Sequence, residues 1–566
     1  MSASRWTRVD GIWALALVAV AFLLRLLFLY SFEGAGWPHS GFYEGDAPVW
    51  IEWARALRAG RSFEFDLPVR APGMAFLIEF AGGELAAPFT GLKTALCAAG
   101  AATVGLFYVA LRAFAERRVA VIAAALLGLS FGQLQLATSL NNEAPYLLLV
   151  VGALAIHAWT RERRTLGWAV TLGVLHGAAN LLRSEHVGFV MLLLALELVR
   201  GRAALRRIAA SAAVTMLALV AVSLPWMLCS HAALERFNTI EPRPIPWESA
   251  RPAWSPEARA ALQALPAFSR EGLFLMLSDR VRRTSASRVE RADLDRLLDE
   301  AFGYRPEPLG VWTLSSAKGQ LDFTLANQLG GDGGFSRAGL SDDFDKDPPF
   351  AFGRPTHTRL WLHGYRVTSE RIAAEPAAWL ALLARKLQRF GDGLFTGFGV
   401  ANAPLGMELS RAPIDLSVSR MRPLAWQGVL ALLALCGVAL AWRQRIAGDW
   451  LLWLAFKLLV TVAFYGYARQ GVTAQLALYV LVALSLDALI ALIPAHQQRW
   501  LVRPLWIIGL LMSADVALEG LDRRSFDVRA VGGARVVAAQ QWGSGGFECQ
   551  GAIELSPAPD GKMGER

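Results

Sequence analysis

Charged residues and cysteines are both scarce in this sequence for its length. Only 18% of its 566 residues are Asp, Glu, Lys or Arg, whereas 54% are hydrophobic. The mean hydropathy is +0.37. This balance excludes an ordinary soluble multidomain protein and is typical of polytopic membrane proteins.

The few cysteines and histidines exclude two further classes. Four cysteines, Cys97, Cys229, Cys436 and Cys549, have neither the spacing of a disulfide framework nor that of a zinc site. Eight histidines include no HExxH motif, so no metal ligand is assigned. Cys229 and Cys549 would both face the oxidising side in the topology derived below, which leaves a disulfide between them open.

Long apolar runs are what the sequence has in quantity. A helix needs about 20 apolar residues to cross roughly 30 Å of hydrocarbon, because lipid satisfies no backbone polar group. Hydropathy predicts about eleven spans, near residues 11–30, 88–111, 119–138, 144–160, 165–182, 186–199, 208–229, 423–442, 450–467, 472–493 and 502–518. The first run lacks a small-residue cleavage site, so it is predicted to be an uncleaved span.

Arginine predicts the orientation of these spans. With the N-terminus in the cytoplasm, the inner loops hold Arg112, Arg117, Arg118, Arg161, Arg163, Arg164, Arg200, Arg202, Arg206, Arg207, Arg443, Arg445 and Arg499. The short outer loops hold only Arg183 and Arg469. Cytoplasmic loops of membrane proteins carry such an excess. Topology therefore accounts for most of the formal charge of +9, and nucleic acid is not a predicted partner.

This orientation places large segments on the outer side of the membrane. We predict a domain organisation of 1–229 as an N-terminal transmembrane module with the first outer loop at 31–87, 230–422 as a periplasmic domain, 423–518 as C-terminal transmembrane helices and 519–566 as a periplasmic tail. The periplasmic domain should be helical or mixed. Apolar residues at i, i+3 and i+4 spacing predict an amphipathic helix over 375–395 at the outer membrane interface.

Two charges lie well inside the predicted spans. Lys457 and Asp487 are each six or seven residues from the predicted cytoplasmic end of their spans. A charge at the bilayer centre costs about 2.5–3.5 kcal/mol or more, so we predict that they pair. Such a pair would hold two helices together, and a proton relay in a transporter stays open as the alternative.

The first outer loop contains the stretch "GDAPVWIEWARALRAG", followed by "LPVRAPGMAFL". Asp46 precedes an amphipathic helix and is suited to cap it. Arg55, Arg58 and Arg61 alternate with acidic residues, which is typical of a solvated helix face. Arg70 lies beside an apolar, interfacial segment, where a guanidinium group can bind a phosphate through two hydrogen bonds.

This pattern resembles the opening loop of the GT-C glycosyltransferases that use polyprenyl-phosphate sugars. Within these, it is closest to the bacterial protein-mannosyltransferase and aminoarabinose-transferase group, glycosyltransferase family 39. The matching positions are Asp46, Trp50, Ala54, Leu57, Gly60, Arg70 and Pro72. The resemblance implies that Asp46 is the general base and that Arg70 helps to hold the lipid phosphate of the donor.

Three further segments resemble the same family. "SLNNEAPYLLLV" contains Glu143 where the family has a second acidic residue, so Glu143 is a secondary catalytic candidate. "NLLRSEHVGFV" and "FYGYARQGVTAQLALYVLVAL" place Arg183 and Arg469 as further ligands of the lipid phosphate. A divalent cation is left open as a cofactor, although Ala47 stands where the family usually has Glu and thus removes one acidic residue from a metal site built on that pair.

The sequence thus predicts an all-α polytopic membrane protein with the GT-C fold. The resemblance implies an inverting glycosyltransferase that moves a sugar from a polyprenyl-phosphate donor to an extracytoplasmic protein, lipid or glycan. Its location would be the bacterial cytoplasmic membrane, with membrane lipid as a further partner. A transporter or flippase for a lipid-linked substrate is the main alternative, and a cell-envelope polymerase or ligase is another.

Overall fold

The computed structural model describes residues 6–33, 47–60, 69–80, 90–138, 140–161, 165–200, 205–241, 243–284, 286–310, 312–336, 338–340, 350, 352, 354–395, 425–444, 447–494, 535–540 and 551–556. Most of these residues are in α-helices. The N-terminal half contains α1 (Arg8–Glu33), α2 (Ala47–Arg58), α3 (Gly73–Phe80), α4 (Thr90–Arg112), α5 (Arg117–Leu129), α6 (Phe131–Thr138), α7 (Glu143–Thr160), α8 (Leu166–Leu182), α9 (His186–Arg200) and α10 (Leu205–Thr239).

The remaining described residues add further helices. These are α11 (Pro256–Gln263), α12 (Ala267–Arg283), α13 (Arg291–Arg296), α14 (Gly319–Ala326), α15 (Pro355–Ala374), α16 (Pro376–Leu394), α17 (Ala425–Gln444), α18 (Gly448–Ala463) and α19 (Ala468–Ala491). The described strands form two pairs. β1 (Ala253–Trp254) is parallel to β2 (Arg288–Val289), and β3 (Arg535–Gln540) is antiparallel to β4 (Gly551–Ser556).

The chain is a multi-pass membrane protein. Helices α1, α4, α7, α10 and α19 are each long and apolar enough to cross a bilayer. Each of the first ten predicted spans coincides with a helix or, in one case, with two. The eleventh, 502–518, lies outside the described residues. The all-α fold class is therefore confirmed, while the domain boundaries and the orientation remain predictions.

The exception is the predicted span at 119–138, which is broken at Ser130. Its backbone is extended there, so α5 ends at Leu129 and α6 begins at Phe131. The break is held by α19. The Ser130 hydroxyl donates to Gln475 Oε1 over 2.7 Å, and the Gln133 amide donates to the carbonyl of Val472 over 2.8 Å. Both hydrogen bonds cross between helices, so they fix the break against α19.

Helix α19 is the central element of the bundle. Its residues from Gln470 to Ser485 are all buried, as expected for a helix that is surrounded by protein on every side. It packs against α5, α16, α17 and α18. The start of α19, which contains Arg469, is thereby fixed relative to the remaining helices.

Helix α16 occupies most of the segment predicted as the amphipathic helix 375–395. Its buried face includes Leu382, Lys386 and Phe390 and packs on α18 and α19. Two glycines allow this close approach, because a Cβ at Gly393 or Gly471 would overlap the backbone of the other helix. The contacts thus join α16 to the helix bundle, and its position at the membrane interface remains a prediction.

The segment between α10 and α16 contributes to two hydrophobic cores. One surrounds Trp254, Phe274 and Leu277. The other brings Val69 of the opening loop together with Leu321 of α14 and Trp361 of α15. Through this second core, the residues just before α3 are attached to the segment between α10 and α16.

Candidate functional site

A buried ion pair joins the start of α7 to the end of α8. Glu143 is the first residue of α7 and is 0% exposed. Its Oε1 lies 2.6 Å from Nη1 of Arg183, which directly follows α8. The preceding residue supports this contact, since the Asn142 amide donates to the carbonyl of Leu182 over 2.7 Å. Two adjacent side chains of the "NNE" motif thus fix the end of the neighbouring helix.

Arg183 also contacts a second carboxylate. Its Nε donates to Oε1 of Glu185 over 2.6 Å. Burial tends to raise the pKa of Glu185, but the positive charges of Arg183 and Lys457 outweigh it, so its pKa falls to about 2. Glu185 is therefore ionised at neutral pH, and one guanidinium group is shared by two carboxylates.

A second guanidinium group approaches Glu143 from the first turn of α19. Nε of Arg469 lies 3.7 Å from Glu143 Oε1, and its guanidinium group stacks over the ring of Tyr467 at 4.7 Å. Both arginines contact the same carboxylate oxygen. Among the described residues, Glu143 Oε2 has no hydrogen-bond partner.

Lys457 of α18 completes this group and is 0% exposed. Its Nζ donates to Gln470 Oε1 over 3.1 Å and lies 3.6 Å from Glu185 Oε1. It also lies 4.9 Å from the ring centroid of Trp453. A buried ammonium group is stabilised by such carboxylate and aromatic neighbours.

The predicted pair between Lys457 and Asp487 is wrong. Asp487 accepts a hydrogen bond from Nε of Arg118 instead. Lys457 precedes the end of α18 by six residues, whereas Asp487 follows the start of α19 by nineteen. The difference of thirteen residues corresponds to about 20 Å along the helix axis, because the turn between the two helices comes earlier than hydropathy predicts.

Arg70 is positioned by the residues on both sides of it. The carbonyl of Val69 accepts a hydrogen bond from the Ser316 hydroxyl over 2.8 Å. Gly73 lies against the end of α8, where an added Cβ would be only 2.6 Å from the carbonyl oxygen of Leu181. The "RAPG" sequence thus needs glycine for this contact, which holds Arg70 near the turn that carries Arg183.

Arg70 belongs to a group of polar residues that includes Lys318, which directly precedes α14, and Asp322 of α14. Asp322 Oδ1 lies 3.2 Å from Lys318 Nζ and accepts a hydrogen bond from the Tyr465 hydroxyl over 3.1 Å. Burial lowers the pKa of Lys318; Asp322 opposes this change, and the positive charges of Arg70 and Arg469 add to it. Arg469 therefore links this group to Glu143.

We refer to these residues together as the cationic cluster. It contains five cations and three carboxylates, namely Arg70, Arg183, Lys318, Lys457 and Arg469 with Glu143, Glu185 and Asp322. Its formal charge is therefore positive. Tyr465 and Tyr467 stack at one side with ring centroids 5.1 Å apart. A partly desolvated excess of positive charge attracts and stabilises an anion.

The structure brings together four of the five predicted site residues. Glu143, Arg183 and Arg469 are in direct contact, and Arg70 lies in the same cluster. Asp46 lies outside the described residues, although α2 begins at the next residue, Ala47. Trp50 and Ala54 of the matching pattern lie with Trp53 on the buried face of α2.

The sequence interpretation missed several members of the cluster. Glu185 stands two residues from Arg183 in "RSEH", and this proximity could have indicated it. Lys457 was identified as a buried charge but was given the wrong partner. Lys318 and Asp322 lie in a polar segment where nothing in the local pattern distinguishes them from other charged residues.

Neither of two carboxylate groups suits a metal ion. Glu143 and Glu185 are already neutralised by Arg183, Lys457 and Arg469. The other candidate group comprises His157, Glu197 and Asp449. There, Arg161 lies 2.9 Å from Glu197 and Arg200 lies 2.7 Å from Asp449. Guanidinium groups supply the compensating charge in both places, so we assign no metal to either.

No protein-family model and no curated protein matches the chain. Among solved structures, the chain is similar to the oligosaccharyltransferase of Archaeoglobus fulgidus tethered to an acceptor peptide. The identity is 14%, the match covers 91% of this chain and 55% of that one, and the TM-score is 0.42. The archaeal oligosaccharyltransferase AglB in complex with an inhibitory peptide and a dolichol-phosphate matches at 12% identity, with 91% and 56% coverage and a TM-score of 0.42.

A third similar structure is ArnT from Cupriavidus metallidurans bound to undecaprenyl phosphate. Its identity is 15%, the match covers 83% of this chain and 78% of that one, and the TM-score is 0.33. The sequence predicted a resemblance to proteins of this kind, and such proteins are found. The chain spans just over half the length of the two oligosaccharyltransferases.

Proposed function

We propose that this protein transfers a sugar from a polyprenyl-phosphate donor to an extracytoplasmic acceptor. The observation that carries the proposal is the cationic cluster, which contains five basic side chains, two of which contact the buried Glu143. It lies where α3, α7, α8 and α19 begin or end. At the ends of membrane helices, a lipid phosphate can bind to the protein while its hydrocarbon tail stays in the bilayer.

The chemistry needs positive charge at the leaving group. The donor phosphodiester carries one negative charge, and breaking the bond from the anomeric carbon to oxygen leaves a lipid monophosphate with a second. Cations that face the phosphate therefore stabilise the transition state more than the bound donor. We assign this role to Arg70, Arg469 and Lys318, which lie in one group in the cationic cluster.

The acceptor side needs a base. From the family resemblance, we propose that Asp46 takes the proton of an acceptor hydroxyl or amine as the acceptor attacks the anomeric carbon. The new glycosidic bond forms on the side opposite the departing phosphate, so the anomeric centre is inverted. Asp46 immediately precedes α2, whose buried face includes Trp53 in contact with Trp226 of α10, and this packing would fix the position of the base.

Glu143 is proposed to orient the cations. Its Oε1 contacts both Arg183 and Arg469, so one carboxylate sets the relative position of two guanidinium groups. An array that is already in place needs no reorganisation when charge develops on the phosphate. Bond making and breaking would then take place beside this array.

The direct test is a reconstituted transfer assay with a panel of polyprenyl-phosphate sugars and membrane acceptors. Binding of undecaprenyl phosphate is measured in parallel by thermal stabilisation of the purified protein. Arg70→Gln and Arg469→Gln are expected to weaken both transfer and binding. Arg58→Gln is the matched control, because Arg58 lies in the same loop but is exposed and pairs with Glu79 at 3.0 Å.

Two results would contradict the proposal. If the wild-type protein neither binds undecaprenyl phosphate nor transfers any sugar, the cluster does not serve a lipid phosphate. If it moves a fluorescent lipid-linked sugar across vesicles without forming a new glycosidic bond, the transporter alternative is correct. Mass spectrometry of the acceptor distinguishes these two activities.

A further inference from the structure

A chain of hydrogen bonds extends from the cationic cluster into the helix bundle. The Tyr146 hydroxyl lies 3.0 Å from Nδ1 of His186, and Nε2 of His186 lies 3.0 Å from Nδ1 of His176. All three side chains are buried. They come from α7, α9 and α8 in turn, so the chain crosses between three helices.

The outer end of this chain lies at the cluster. His186 directly follows Glu185, and Tyr146 is three residues after Glu143 on α7. Lys457 Nζ lies 5.1 Å from the centroid of the Tyr146 ring, and the guanidinium carbon of Arg183 lies 5.7 Å from it. Cationic and anionic side chains therefore surround Tyr146, the first member of the hydrogen-bond chain.

His176, at the other end of the hydrogen-bond chain, lines a cavity. His176 is six residues before the end of α8, which places it about 9 Å below that end. It lines a cavity of about 20 Å³, measured as the volume open to the centre of a water molecule, together with His157 of α7 and Thr215 of α10. This volume exceeds the roughly 10–15 Å³ needed for one water, and its lining offers polar partners.

Beyond the cavity lies a second group of charges near the other ends of the same helices. His157 is three residues before the end of α7, and its Nε2 lies 3.5 Å from Glu197 Oε1. Arg161, Arg200 and Asp449 complete this group. Tyr146, His186, His176, the cavity and His157 thus lie one after another between the two charged groups.

The chemistry of these residues suits proton transfer. A neutral imidazole has one N–H donor and one acceptor nitrogen, so both hydrogen bonds of His186 must run in the same direction. Tyr146 donates to His186 and His186 donates to His176, or every bond is reversed. A proton accepted at one end and released at the other converts the first arrangement into the second. After this transfer the three side chains carry no net charge. Rotation of the two imidazole rings and of the tyrosine hydroxyl then restores the first arrangement.

We propose that Tyr146, His186 and His176, with water in the cavity and His157, form a proton path across the helix bundle. It joins Glu143 and Glu185 at one end to Glu197 at the other. The path does not depend on the proposed glycosyl transfer. A purely structural set of hydrogen bonds would hold the helices equally well with amide side chains, which hydrogen-bond but do not relay protons. That difference provides the test.

The experiment uses the full-length protein in liposomes that contain a pH-sensitive dye, with a potassium diffusion potential as the driving force. The wild-type protein is expected to accelerate proton uptake above that of protein-free liposomes. Tyr146→Phe and His176→Gln should each return the rate to that baseline. The control variant is His363→Gln, because His363 lies in α15, outside the path, and pairs with Glu307.

Each variant is first checked for an unchanged elution profile and melting temperature. Tyr146→Phe removes only a hydroxyl group, so it keeps the proposal testable if the histidine variant is unstable. The proposal is overturned if wild-type liposomes take up protons no faster than protein-free ones. It is also overturned if folded Tyr146→Phe and His176→Gln proteins conduct as fast as the wild type.

Discussion

Glu143 and Arg183 form a buried ion pair with 2.6 Å between Oε1 and Nη1. The two residues are separated by 40 positions in the sequence, yet each stands at the end of an apolar helix. Arg469 contacts the same carboxylate oxygen from a third helix. Removing this carboxylate would leave two guanidinium groups without their shared counter-charge.

The substitution Glu143→Gln should therefore destabilise the protein and weaken transfer. Removing one partner of a buried pair costs about 3–5 kcal/mol when the remaining charge is left uncompensated, and because Arg183 keeps Glu185 as a partner the loss should lie near the lower end of this range. Thermal unfolding in detergent measures the loss. Glu79→Gln is the matched control, since its pair with Arg58 is solvent-accessible and should contribute about 1 kcal/mol or less. Equal melting temperatures for Glu143→Gln and the wild type would show that the ion pairs of Glu143 do not stabilise the folded protein.

Asp46→Asn tests the base assigned from the resemblance. Asparagine keeps the size and the capping ability of aspartate but cannot accept the proton. Transfer should fall by about a hundredfold or more, whereas the affinity for undecaprenyl phosphate should not change. Steady-state transfer and ligand-induced thermal stabilisation measure the two effects separately. An Asp46→Asn protein that transfers sugar at the wild-type rate would show that Asp46 only caps α2.

Gly73→Ala tests the packing that positions Arg70. The added methyl group would be forced against the carbonyl oxygen of Leu181, and overpacking of this kind costs about 1–3 kcal/mol. Displacement of α3 should move Arg70 and weaken undecaprenyl phosphate binding along with stability. Gly91→Ala is the control, because its Cβ would meet no atom within 4 Å. Unchanged binding by Gly73→Ala would show that α3 does not position Arg70.

The pH dependence of stability should include a contribution from Lys386 of α16. Its Nζ donates to Asn327 Oδ1 over 2.8 Å and to the carbonyl of Val462 over 3.2 Å, and burial lowers its pKa to about 7. The unfolded chain keeps the ordinary value of about 10.4. Between these values the unfolded state binds more protons, so stability should rise as pH increases from about 7 toward 10.

The Lys386→Met variant provides the comparison for this effect. It lacks the titrating amine, so its stability should change less between pH 7 and pH 10 than that of the wild type. Denaturant unfolding at several pH values measures both slopes. If the two proteins show the same pH dependence over this interval, then Lys386 does not titrate with a lowered pKa in the folded state.

Much of this protein follows from local sequence alone. Apolar runs of about 20 residues can only be satisfied as helices in lipid, and ten of the predicted spans coincide with helices. Polar residues at the ends of such runs cannot be explained by lipid contact. Glu143, Arg183 and Arg469 stand at such positions; the resemblance to the GT-C glycosyltransferases indicated them as site residues, and the structure places them together.

Only the tertiary structure decided which charged side chains contact each other. Lys457 contacts Glu185 and Gln470 rather than Asp487, because the position of the turn after Ala463 sets which residues share a depth in the membrane. Lys318 and Asp322 reach the cluster from a polar segment through a core that includes Val69 and Trp361. Hydropathy is a property of neighbouring residues, whereas these contacts join residues far apart in the chain. Their formation depends on helix packing.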